Sequence, residues 1–203
     1  MNKLIKKTAL ITLAALALLA LAVFSLWILI SPQTMAGACE KTGNYSFAVT
    51  CAGLRYNRTK DSSDLARCAE DSILSGKDGH ILNYCAALIG DESYPELCNL
   101  KNAEISDGKG GQYISLTGPV NYDGYIKSHL SAAQYRSGNL DCALETVKTD
   151  KSGQSLIKLV LAVSDKSDKP AAEKLLRFME ENCEEDNKLV KELTAILNNV
   201  NQG

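Results

Sequence analysis

The side chains with the most chemistry in this sequence are its seven cysteines: Cys39, Cys51, Cys68, Cys85, Cys98, Cys142 and Cys183. A thiol can pair as a disulfide, ligate a soft metal or attack an electrophile, and spacing separates these options. There is no C-x-x-C pair, which argues against a redox couple. With only His80 and His129 beside the cysteines, no usual zinc spacing can be written. Disulfides are the chemistry that remains. Seven is odd, so Cys39 is expected to stay unpaired or to carry a lipid. Positions about successive turns predict pairing of Cys51 with Cys68 and of Cys85 with Cys98. A Cys68–Cys85 pair is the rival, and Cys142 and Cys183 are the remaining candidates. Free thiols packed as small apolar core residues are the alternative.

Other constellations fall short of a site. The sequence has no G-x-S-x-G and no H-E-x-x-H. Gly108–Lys109–Gly110–Gly111 lacks phosphate-loop spacing, and Asp107–Gly108–Lys109 lacks the alternating carboxylates of a calcium loop. Glu180, Glu181, Glu184, Glu185 and Asp186 surround Cys183 and read as a solvated helix end. His80 and His129 read as surface or satisfied core histidines. Asn44–Tyr45–Ser46 and Asn57–Arg58–Thr59 have the form of glycosylation sequons, at about the frequency chance gives. No catalytic, cofactor-binding or metal-ligating residue is assigned.

All the cysteines lie beyond one dominant element. Thr8 to Ile30 runs 23 residues without a charge, and Lys3, Lys6 and Lys7 precede it. As a helix it covers roughly 35 Å, enough for a bilayer core of about 30 Å. Trp27 sits near its outer end, where indole prefers the interface. Three readings stay open. The segment is an uncleaved anchor, a signal cleaved after Ala36–Gly37–Ala38, or a lipoprotein signal ending at Cys39. In each the lysines stay cytoplasmic and the rest of the chain is exported. The expected organisation is a basic tail at 1–7, a single span at 8–30, a linker at 31–44 and an extracytoplasmic domain at 45–203.

Of 22 Lys and Arg, 19 follow the three leading lysines and face 24 Asp and Glu, a formal charge of −5. That balance argues against nucleic acid, which needs a basic face, and against a basic lipid-binding patch.

Apolar spacing predicts helices throughout the exported part. Tyr45–Tyr56, Asp61–Leu74 and His80–Ile89 come first, with Asp61 or Ser62 as a cap. A short helix carries Leu97 and Cys98. Tyr122–Ser137, Leu140–Thr149, Gln154–Ser164, a helix capped by Asp168 and a last helix from Leu189 to Val200 follow. Gln154–Ser164 is apolar nearly all round and reads as a central buried helix. Residues 101–121 read as a glycine-bearing loop, with Tyr113–Thr117 as a possible short strand. Tyr113, Tyr122 and Tyr125 give that region aromatic handles for a partner.

Leu130 to Leu144 resembles a tetratricopeptide or Sel1-type hairpin over about residues 122–150. Leu130 and Ser131 stand where those repeats place a leucine and a small residue. Gly138–Asn139 forms the turn, Ala143 stands where the second helix touches the first, and Val147 occupies an apolar site. The resemblance implies stacked antiparallel helix pairs and a protein-binding role.

The expectation is an all-α, disulfide-stabilised, membrane-anchored domain of irregular helix pairs that binds or scaffolds other envelope proteins without catalysis. An all-α enzyme acting on an envelope polymer is the alternative, and it requires an acid of raised pKa in a cleft. A secreted or lipidated protein released after residue 38 is the other.

Overall fold

The computed structural model describes residues 3–106, 114–115, 118–119, 121–184 and 187–202. Within them the chain forms eleven helices and a two-residue antiparallel ladder that pairs Ile114–Ser115 with Gly118–Pro119. The first helix, α1 (Lys3–Ile30), is long and apolar enough to cross a membrane, and no residue of its Lys7–Ile30 stretch is buried.

One residue, Ser31, separates α1 from α2 (Pro32–Lys41). The stretch expected as a linker is therefore helical. Pro32 opens α2 at a position where a missing N–H costs little. Met35, Ala36 and Cys39 turn inward and are buried. These meet Cys51 and Ala52 of α3 (Tyr45–Thr59) and Cys68 of α4 (Ser62–Ser75) in a small cluster that Ile28 and Phe47 flank.

Local signals set the helix ends. Asp61 accepts from the Ser63 amide at 2.8 Å to start α4, and Gly76, at φ +67°, ends it. Asn121 accepts from the Gly124 amide at 2.6 Å to start α7 (Tyr122–Arg136). Gly124 must lack a side chain, because a Cβ there would run into the Ser152 hydroxyl. Gly138 and the Asn139 cap turn α7 into α8 (Leu140–Thr149), and Asp168 caps α10 (Lys169–Asn182).

Two larger clusters follow the first. Residues from α4, α5 (Asp78–Ile89), α6 (Tyr94–Ser106) and α7 build one, with Leu65, Ile81, Leu88 and Ile126 at its centre. The other joins α8, α9 (Gln154–Lys166), α10 and α11 (Lys188–Gln202) to the end of α7, through Leu159, Val160, Leu175 and Leu197. The bulk of α7 belongs to the first of these and Tyr135 to the second, so α7 is the spine on which the two halves meet. As expected for a central helix, α9 buries Leu159, Val160 and Val163 completely.

Candidate functional site: a groove between two helix pairs

All seven cysteines are free thiols, and the disulfide-built domain expected from the sequence is not what the structure holds. Cys51 and Cys68 share the cluster beside α1, while Cys85 and Cys98 belong to the core between α4 and α7. They pack there as small apolar residues. Burial pushes the Cys68 and Cys85 thiols up to about 12, which leaves them uncharged and unreactive. Cys39 is buried on α2, Cys183 is half-buried at the end of α10, and Cys142 is exposed on α8.

The expected aromatic face also needs correction. Tyr122 is fully buried and Tyr125 nearly so. The Tyr122 hydroxyl donates to Glu70 at 3.0 Å, a contact that lets its ring enter the core. Tyr113 lies outside the described residues.

Residues that sequence analysis passed over form a polar constellation beside the buried thiols. Arg67 of α4 donates to Glu40 of α2 at 2.6 Å. Asp71, one turn along α4 and 3 % exposed, lies against them, and its Oδ2 has no hydrogen-bond partner. Burial, and then the neighbouring Glu40 carboxylate, raise the Asp71 carboxyl to about 7. The signal was the i, i+4 spacing of Arg67 and Asp71 on one face of α4; what hid it was the reading of α2 as linker.

A second polar pair bridges α7 and α9. Lys158 lies 2.7 Å from His129 Nε2, and the His129 ring tilts against Tyr125. Burial and the Lys158 charge hold His129 down at about 3, so the imidazole is neutral and accepts from the ammonium. Burial, and then Arg136, lower Lys158 to about 8. This pair joins helices; it is not poised as a general base near neutral pH.

A groove of about 480 Å³ lies where α5, α7 and α8 converge. Ala86 and Ile89 of α5 and Leu130 of α7 supply apolar walls. Asp141, Cys142, Glu145 and Thr146 of α8 form the opposite side, and Thr146 is held by donation to Gln134 at 2.8 Å. Lys174 pairs with Asp141 and Lys148 with Glu145, so the acidic rim is already neutralised from outside. The groove lies along the α7–α8 hairpin. Its turn uses Gly138 at φ +86° and Asn139, whose side chain accepts from the Cys142 amide at 3.2 Å. Ser131 is fully buried on the α9 side of α7, where its hydroxyl lies 3.4 Å from the Ser155 carbonyl, and Ala143 of α8 is fully buried in the core around α9.

Smaller grooves lie between α10 and α11, lined by Leu176, Met179 and Val190, and beside Tyr135 and Asp168. None of these three grooves is lined by Glu40, Arg67 or Asp71. Among the described residues no group of His, Cys, Asp and Glu is arranged to hold a metal.

No family model, curated protein or solved structure matches this chain.

Proposed function

We propose that this protein is a membrane-anchored helical scaffold, with α1 as a single span and the remaining helices exported as a domain that binds another envelope protein. The α5–α8 groove is the binding site, and its occupant is the apolar ridge of a partner helix. The observation that carries this reading is the groove's chemistry: apolar residues from α5 and α7, an α8 rim with its charges already paired, and a volume within the roughly 300–1,000 Å³ of ordinary binding pockets. A helix laid in such a groove buries alternate turns of side chains. The likeness of residues 122–150 to a tetratricopeptide or Sel1-type hairpin supports the same role, because in those repeats paired helices present partner surfaces.

An enzyme acting on an envelope polymer would need a cleft to expose Asp71, the carboxyl raised to about 7. That side chain is enclosed between α2 and α4, which favours a structural part for it.

Cys142 provides the test, because it lines the groove and is the one exposed thiol among the seven. The full chain carrying Cys183→Ser is labelled at Cys142 with a photoreactive maleimide in its native membrane and irradiated. The expected product is a discrete adduct to one protein, mapped to a helical segment of that partner. Ala86→Glu puts a charge on an exposed groove wall and should abolish the adduct while leaving the far-ultraviolet circular dichroism unchanged. Equal adduct from the Ala86→Glu chain would refute the groove as the site.

A further inference from the structure

We propose that the bilayer surface is itself a docking partner of the folded domain, with Phe47 at the start of α3 seated in the lipid–water interface beside Phe24 and Trp27. The proposal rests on α1 being a retained span, and adds that the domain is held against the outer leaflet.

Depth is the first argument. The Phe47 ring stacks on Phe24, with centroids 6.2 Å apart and planes 18° from parallel. Phe24 lies six residues before the end of α1, roughly 9 Å back along its axis. The first turn of α3 is therefore level with a point inside the apolar run, below its outer end.

The second argument is rigidity. Ile28 packs against the cluster that includes Cys51 and Cys68, and Arg58 Nη1 donates to the Leu29 carbonyl at 2.6 Å. Only Ser31 interrupts the helices. These contacts fix the height of α3 relative to α1.

The third is the surface itself. Phe24 stays 42 % exposed and Trp27 47 % exposed although the domain stands beside them, and Phe47 is only partly covered. The amphipathic Trp27 indole favours the headgroup region, and the stacked Phe24 and Phe47 rings add apolar surface at the same end of α1. The span arithmetic agrees. Thr8 to Phe24 covers 17 residues. As a helix that is roughly 25 Å, at the short end of the range that crosses a bilayer core. The turns after Phe24 are thereby free to lie among headgroups and carry the domain.

The test uses the full chain in phosphatidylcholine vesicles whose acyl chains are brominated either near the headgroup or near the bilayer centre. Trp27 is the sole tryptophan, so Trp27→Phe gives a silent background. Phe47→Trp in that background is expected to emit at shorter wavelength than in water and to be quenched severalfold more by shallow than by deep bromines. Asn198→Trp, at an exposed position of α11, is the reference and is expected to stay unquenched. Should Phe47→Trp melt early, Thr50→Trp, exposed and one turn on along the same side of α3, carries the same expectation. Quenching at position 47 no greater than at position 198 overturns the docking. Native Trp27 separates the two levels of the argument. If it is quenched while position 47 is not, the anchor stands and the docking falls. If it too is unquenched, both fall.

Discussion

The core beside α1 and the core around α9 are built on different principles. Beside α1 the buried positions of the cluster are mostly small, Ala36, Cys51, Ala52 and Cys68, with Met35 the one long side chain among them. An ion pair and an orphaned carboxyl oxygen sit at the edge of that region. Around α9 the buried positions are Leu156, Leu159, Val160, Val163, Leu175, Phe178 and Leu197, on helices with a clear apolar stripe. Small residues let helix backbones approach closely, and stability then depends on the fit between them. Large aliphatic residues stabilise by the area they remove from water, about 25 cal/mol per Å². One region is thus sensitive to added volume and the other to lost volume.

The sharpest way to break this contrast is a deletion in the distal core. Leu159→Ala removes a fully buried side chain from α9 and should cost about 2–5 kcal/mol, because the cavity collapses only in part. Urea unfolding of the detergent-solubilised chain reads this as a lowered midpoint with an unchanged slope. A cost below that of a surface substitution would show that α9 is not the centre of its half.

An insertion in the proximal core comes next. Ala36→Leu should cost about 1–3 kcal/mol by overpacking the α2–α3 contact. The same denaturant series measures it. A neutral or stabilising outcome would mean that α2 is loosely seated and that the contrast between the two cores is not one of packing.

The last effect is electrostatic. Asp71 has a folded pKa of about 7 against an ordinary value of 3.8, so the folded chain holds a proton that the unfolded chain releases between those values. Its contribution to stability is complete below 3.8 and is lost as pH rises through about 7. Asp71→Asn should therefore flatten the fall in Tm across this window and leave the low-pH Tm nearly unchanged. An unaltered pH profile would show that another group governs it.

How far the sequence disclosed this architecture follows from the same contrast. Helix α8 occupies Leu140–Thr149, the residues expected from apolar spacing, α7 and α9 differ from expectation only at their ends, and α10 begins after the expected Asp168 cap. Their stripes are wide and their caps, Asn139 and Asp168, are of the favoured kind. Helix α2 was missed because Pro32, Gly37 and its alanines resemble a linker in composition. Its inward-facing Met35, Ala36 and Cys39, at one-turn spacing, were the only sign. Tyr122 and Tyr125 illustrate a different limit. A tyrosine next to a glycine-bearing stretch reads as a surface handle. Burial becomes favourable only when a distant residue, here Glu70 in α4, meets its hydroxyl. The cysteines misled for a related reason: export favours disulfides, while spacing alone cannot tell two thiols that face each other from two that share a core. The groove was invisible, since it exists only where α5 from one half lies alongside α8 from the other.

The joint at Ser31 has a mechanical consequence. A spanning helix answers changes in bilayer thickness by tilting. With one non-helical residue between α1 and α2, and with Arg58 and Phe47 bracing the far side, a tilt has no slack in which to dissipate. It is delivered to the folded helices as a rotation. With α1 as the proposed span, the α5–α8 groove would take its bearing from the membrane, and a thinner or thicker bilayer would turn it.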